Sequence, residues 1–166
     1  IGKELAKLKG VYYVVEKKRF YPKKELASNL LGFVGFDNAG LEGLERFYDS
    51  VLKGGVRVFQ IVKDARGNPI VVRDPEEVSS GYSLVLTIDE VVQAIVEEEL
   101  ERGVSEFNAK AGVAIVMDPH TGEILAMAVR PTFNPNIFAR YSPSMWRNRA
   151  IADVYEPGST LKPIVM

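Results

Sequence analysis

Two serine–lysine pairs in this sequence have a spacing that could make a serine nucleophilic: Ser159-Thr160-Leu161-Lys162 and Ser50-Val51-Leu52-Lys53. On a helix, positions i and i+3 share a face, so the lysine amine can reach the serine hydroxyl. A serine hydroxyl is a weak nucleophile until a neighbouring base takes its proton. Lysine serves as that base only when its amine is neutral, which requires burial or a nearby positive charge. The chemistry such a pair supports is attack on a carbonyl. Spacing alone is weak evidence, because average composition yields about one chance match in a chain of this length.

Placement separates the two pairs. Lys53 ends a predicted helix directly before Gly54-Gly55, where its charge suits the negative end of the helix dipole and the protonated amine is favoured. That is a capping lysine. Ser159 follows Pro157-Gly158 at a predicted helix start, where free backbone N–H groups and the positive dipole end gather. Such donors stabilise the anion formed when a serine attacks a carbonyl. The same placement suits a simple N-cap serine, and on motif and position alone both readings stand.

The elements around these residues follow from periodicity and punctuation. Residues 11–15 read as a strand, and Gly32, Gly35 and Gly40 mark a loop after Pro22. Leu41, Leu44, Tyr48 and Leu52 lie on one face of a predicted helix over 41–52. Runs at 56–62 and 70–73 predict a hairpin, and 74–81 reads as a linker and the best domain boundary. Residues 82–88 alternate as a strand. Thr87-x-x-Glu90 matches a capping box for a helix over 89–102, lined by Val92, Ile95, Val96 and Leu100 and closed by Gly103. Residues 111–117 and 124–129, joined by Asp-Pro-His-Thr-Gly-Glu, form a hairpin apolar on both faces, which predicts a sheet covered on both sides. One helix cannot supply both covers, so the second domain is expected to be incomplete. Residues 131–150 read as a long surface loop with a short helix at most.

Composition narrows the function classes. A net charge of −1 recruits no nucleic acid, and the basic stretch Lys17, Lys18, Arg19, Lys23 and Lys24 around Tyr21 reads as a solvated face. With no cysteine there is no disulfide or thiolate chemistry, and the single His120 in a turn is no metal site, so no cofactor is implied. No apolar run approaches the length needed to cross a bilayer. The chain begins at Ile1 and ends at Met166 within an apolar run, so both ends are expected to be cuts.

The run Arg147-Asn148-Arg149-Ala150-Ile151-Ala152-Asp153-Val154-Tyr155-Glu156-Pro157-Gly158-Ser159-Thr160-Leu161-Lys162-Pro163 resembles the segment leading into the active-site serine of class B penicillin-binding proteins. Asn134-Pro135-Asn136 and Asp118 to Met127 are similar to blocks of the same family. Arg19-Phe20-Tyr21-Pro22 resembles its Arg-x-Tyr-Pro motif, and Gly40-Leu41-Glu42-Gly43-Leu44-Glu45 its Gly-x-x-Gly-x-Glu motif, both of the non-catalytic pedestal. The resemblance runs from about residue 11 to the end, and Asp153 to Ser159 is most similar to the septal, FtsI-type members.

The resemblance implies an α+β chain: a mainly β pedestal over 1–80, then the first part of a penicillin-binding α/β sandwich over 81–166. It implies that Arg19, Tyr21, Pro22, Gly40, Gly43 and Glu45 are structural motifs of the pedestal. Ser159 would attack the carbonyl of a D-Ala-D-Ala donor on peptidoglycan stem peptides, with Lys162 as proton acceptor, and β-lactams would acylate the same serine. The parent protein would be anchored by one N-terminal helix in the bacterial cytoplasmic membrane, its bulk outside, with its pedestal contacting a glycan polymerase and division proteins. The family's Ser-x-Asn and Lys-Thr-Gly motifs occur nowhere in this sequence, so the chain as given is expected to be inactive. Two other readings remain. One is an elongation-type member or another Ser-x-x-Lys enzyme that recognises β-lactams, and the other is a non-enzymatic pedestal module that binds division or polymerase partners.

Overall fold

The computed structural model describes residues 18–54, 61–63, 69–71 and 81–162. The strand expected at 11–15, the hairpin turn, the linker at 74–80 and Pro163 lie outside the described residues.

The chain order is α1 (Ser28–Leu31), β1 (Phe33–Val34), β2 (Gly40–Glu42), α2 (Gly43–Phe47), α3 (Asp49–Leu52), β3 (Ile61–Lys63) and β4 (Pro69–Val71). Then come α4 (Glu90–Glu106), β5 (Gly112–Met117), β6 (Ile124–Arg130), a 3-10 helix Pro135–Arg140, α5 (Pro143–Trp146), α6 (Arg149–Ala152) and a 3-10 helix Gly158–Leu161. The strands pair antiparallel as β1–β2, β3–β4 and β5–β6. The hairpin expected across 56–73 is present, with Val62 opposite Ile70.

The helix expected over 41–52 is instead a strand followed by two short helices. Leu41 belongs to β2, and Gly43 breaks the periodic face because its φ of 60° is left-handed. The loop expected after Pro22 holds α1 and the β1–β2 ladder. Nothing in residues 81–89 pairs as a strand. That segment docks through single bonds, from Tyr82 N–H to the Val51 carbonyl, from Thr87 Oγ1 to the Ile124 carbonyl and from Asp89 N–H to the Leu125 carbonyl.

Asp89, not Thr87, caps α4: its Oδ1 accepts from the N–H groups of Val91 and Val92, both at 2.9 Å. Thr87 cannot serve there because its hydroxyl is committed to β6. The helix also runs through Gly103, where no neighbour constrains it, and stops at Asn108, whose φ of 48° is the left-handed conformation that ends helices.

The β5–β6 hairpin forms as its two apolar runs and the turn between them predict, with Ala114 opposite Ala128 and Ile115 opposite Met127. Its turn is locally encoded: the Asp118 side chain accepts from His120 N–H, and Gly122 N–H returns to the Asp118 carbonyl. One sheet face packs on α4, where Leu100 and Val104 close over Gly112. The opposite face buries Val129 but leaves Val113, Ile115 and Met117 exposed, so among the described residues the expected double cover is only partial.

Residues 131–150 are not a surface loop. They carry Phe133, fully buried, and they enclose Phe33, which is also fully buried. Phe33 stacks on Phe138 at 4.3 Å between ring centroids and meets Phe133 and Trp146 edge-on at 5.6 and 5.0 Å. Such aromatic contacts hold the first part of the chain onto the second. Apart from Phe133 the rings come from elements of two to six residues, too short for helical or strand periodicity to announce them.

The candidate active-site turn and the Arg19–Tyr21–Glu45 cluster

The second candidate group, Arg19, Tyr21 and Glu45, is assembled from two separate stretches. Tyr21 opens a turn in which Lys24 N–H returns to the Tyr21 carbonyl, with Pro22 at the position where a fixed φ favours a turn. Glu45 is carried on α2. The approach between these stretches needs both glycines of the Gly40-x-x-Gly43-x-Glu45 run. A Cβ on Gly40 would stand 2.1 Å from the Glu45 carbonyl oxygen, and one on Gly43 would stand 2.6 Å from the Leu30 carbonyl oxygen.

With the backbone so placed, the buried Glu45 carboxylate takes both arms of Arg19. Arg19 Nε lies 2.9 Å from Oε1, and Nη2 donates to Oε2 at 3.2 Å. The Tyr21 hydroxyl also donates to Oε1, and it accepts from Val34 N–H, each at 3.2 Å. The backbone of Tyr21 is bound twice by Asn136, whose Oδ1 accepts from Tyr21 N–H and whose Nδ2 donates to the Tyr21 carbonyl. The cluster therefore joins the turn at 19–24, the β1 strand, α2 and the 3-10 helix at 135–140. Of the basic stretch, Arg19 and Lys23 are paired, the latter with Glu90.

Burial, and next the Glu45 carboxylate, push the Tyr21 phenol well above its usual range. A raised folded value means that the folded state keeps a proton that the unfolded chain releases. The contribution is present below about pH 10 and is lost as pH rises from there toward the folded value. Tyr21→Phe is expected to cost about 1–2 kcal/mol at pH 8 by removing hydrogen bonds, one of them to a carboxylate. The variant should also lose less stability than the original between about pH 8 and 11. Urea unfolding across that range checks both, and parallel pH curves for the two proteins would contradict the assignment.

Ser159 and Lys162 sit in a different setting. Gly158, with a φ of 54°, turns the chain into the 3-10 helix Gly158–Leu161, and Lys162 continues in helical conformation with its N–H on the Ser159 carbonyl. A 3-10 helix has three residues per turn, so positions 159 and 162 project from the same side. The backbone thus sets both positions on one side of the turn. Both residues are exposed, and among the described residues neither side chain is engaged in a hydrogen bond or ion pair. Ser50 and Lys53 stand otherwise: Ser50 is exposed on α3, and Lys53 is that helix's C-cap, its N–H on the Asp49 carbonyl. His120 lies exposed in the β5–β6 turn, and no metal-binding cluster occurs among the described residues.

Residues 1–86 match the family model of the penicillin-binding protein dimerisation domain, and residues 112–166 match that of the penicillin-binding protein transpeptidase domain. The chain belongs to the penicillin-binding proteins. It is 40% identical over 162 residues to the peptidoglycan D,D-transpeptidase FtsI of Escherichia coli K12, covering 96% of this chain and 27% of that protein. Stage V sporulation protein D of Bacillus subtilis is also 40% identical over 162 residues, with 96% of this chain and 25% of that protein covered. Penicillin-binding protein 3 of Mycobacterium tuberculosis superposes with a TM-score of 0.72 at 32% identity, over 87% of this chain and 29% of that one. The same protein has been solved with aztreonam and with ampicillin. The chain thus spans little more than a quarter of these relatives. The α+β architecture, with a dimerisation-type first part and part of a transpeptidase domain, is that of this family.

The sequence singles out Arg19, Tyr21, Glu45, Ser159 and Lys162. It does not single out Asn29, Glu97 and Asn136, which join the halves, or Gln93, which ties α4 to β6. Only the polar character of Gln93 and Glu97 on the inward side of α4 was there to be noticed.

Proposed function

We propose that this chain is part of a serine-type peptidoglycan D,D-transpeptidase of septal, FtsI type, in which Ser159 is the nucleophile and Lys162 the base. The observation that carries the reading is the 158–162 turn, which sets Ser159 and Lys162 on one side of a single helical turn. It is supported by the transpeptidase-domain match over 112–166 and by relatives that are themselves called FtsI.

In the proposed reaction the Ser159 O–H proton moves to the neutral Lys162 amine as Oγ bonds to the donor carbonyl carbon. The tetrahedral adduct collapses, the bond to the terminal D-Ala nitrogen breaks, and that nitrogen takes the proton and leaves. An amine of a neighbouring stem peptide then attacks the ester carbon and gives up a proton to the lysine, the bond from that carbon to Oγ breaks, and the lysine returns the proton to Oγ. A β-lactam follows the first half, with its ring amide as the bond that breaks.

We put the domain boundary at 80/81 and assign contacts with a glycan polymerase and division proteins to the first part. Arg19, Tyr21, Pro22, Gly40, Gly43 and Glu45 are its structural motif, not a site of chemistry. The parent protein would sit on the outer face of the cytoplasmic membrane, and among the described residues no helix is long and apolar enough to cross it.

The test is to treat the full-length protein with a fluorescent penicillin and to map the adduct by peptide mass spectrometry. The label is expected on Ser159; a label on another residue would sink the reading. A polypeptide of these 166 residues alone is expected to stay unlabelled, since it has no Lys-Thr-Gly or Ser-x-Asn motif and both reacting side chains are exposed.

A further inference from the structure

The segment that leads into Ser159 is held by a residue more than a hundred positions earlier in the chain. Asn29, in α1, is 5% exposed. Its Nδ2 donates to the Met145 carbonyl at 2.7 Å and to the Arg147 carbonyl at 3.3 Å. These carbonyls flank Trp146 at the end of α5, where a helix leaves its last acceptors without partners. One buried amide thus sets the direction in which the chain leaves α5.

Arg147 carries that placement onward. Its guanidinium reaches the Ala152 carbonyl and pairs with Asp153 Oδ1 at 3.0 Å. Arg149 takes the other Asp153 oxygen, also at 3.0 Å. Asn148 caps α6 through Ala150 N–H. Beyond Asp153 the chain has no regular structure until the 3-10 helix at Gly158, and Val154 is fully exposed. The chain enters the serine turn from Asp153, and Asp153 is held by Arg147 and Arg149.

We propose that Asn29 is a positioning residue for Ser159, acting through Arg147 and Asp153 to set where the serine turn begins. This rests on the transpeptidase reading above. Acylation needs the attacking oxygen placed to within a fraction of an ångström, and a displacement of about 1 Å can cost up to roughly a hundredfold in rate. A tether released at Asn29 should thus show in the rate of acylation, not only in stability.

The experiment measures the acylation rate constant of the full-length protein with a fluorescent penicillin, normalised to the titrated number of reactive serines. Normalisation removes any unfolded fraction, so a merely stabilising role leaves the rate unchanged. Asn29→Ala is expected to lower the rate about tenfold. Arg147→Ala should do the same, and the double variant should be no slower than either single, because the two lie on one route. Asp153→Asn, a shape-preserving change at an exposed position, should also slow acylation severalfold. It is coupled to Arg147→Ala in the same way, so the route remains testable if Asn29→Ala does not fold. An unchanged normalised rate in Asn29→Ala, or fully additive losses with Arg147→Ala, would overturn the proposal. Failure of the transpeptidase reading is distinct from either: the unsubstituted protein would then carry no label on Ser159.

Discussion

Ser159→Ala in the full-length protein is expected to abolish acylation by a fluorescent penicillin, a loss of at least roughly four orders of magnitude in rate. No other group can form the ester, so no residual adduct should map to this turn. Lys162→Ala is expected to lose about two to four orders of magnitude, the usual worth of a positioned general base. Lys162→Arg should be as slow as the alanine variant, because arginine keeps the positive charge but does not give up its proton. That variant separates a base from a charge that merely steers substrate. The second Ser-x-x-Lys pair supplies the control. Ser50→Ala and Lys53→Ala should leave acylation within about twofold, since α3 is a single turn whose C-cap is Lys53. Stopped-flow acylation of the five variants tests the assignment. Activity retained in Lys162→Arg would remove the lysine from the role of base, and a strong effect at Ser50 would move the site.

The contrast between these pairs shows what kind of information a sequence exposes. The Ser159 turn was legible because Pro157, Gly158 and the i, i+3 spacing are local, and the structure supplies a 3-10 turn there. The β5–β6 hairpin was legible for the same reason: two short apolar runs flank a turn that Asp118 and Gly122 encode. Local reading failed where a distant contact decides. Leu41, Leu44, Tyr48 and Leu52 do have helical spacing, but Gly43 must take a positive φ to let α2 approach Gly32, and that splits the element. Thr87 matched a cap, but the hydroxyl was claimed by β6 from 37 residues away. Residues 131–150 read as a loop because their aromatic residues, Phe133, Phe138 and Trp146, gather around Phe33 from a distant stretch and do not repeat along one regular element.

The α4 helix carries the same point to its largest consequence for stability. Its apolar residues were expected to face the core, yet its most buried positions are Gln93 and Glu97, while Ile95 is 56% exposed. Gln93 bonds both the N–H and the carbonyl of Met127, taking the place of a neighbouring strand along β6. Glu97 accepts from Gln93 Nε2 and from Ala27 N–H, each at 2.7 Å, and it lies 3.7 Å from Arg130. Ala27 is held in a left-handed conformation, with a φ of 52°, which costs a residue with a side chain roughly 1–2 kcal/mol. Its charge-assisted bond to Glu97 offsets that cost. Glu97→Ala would strand the Ala27 N–H and remove the inner partner of a buried arginine. It is expected to destabilise the fold by about 3–5 kcal/mol. Glu97→Gln keeps an acceptor for Ala27 and should cost less, about 1–2 kcal/mol. Glu99→Ala, which breaks only an exposed pair with Arg102, should stay within about 0.5 kcal/mol. Midpoints of chemical unfolding, compared at equal slope, rank the three. If Glu97→Ala cost no more than Glu99→Ala, the two parts of the chain would have to be held together by the Phe33 aromatic cluster and by the Asn29 and Asn136 bonds, without help from Glu97. The carboxylate would then be a buried charge carried without benefit to the fold.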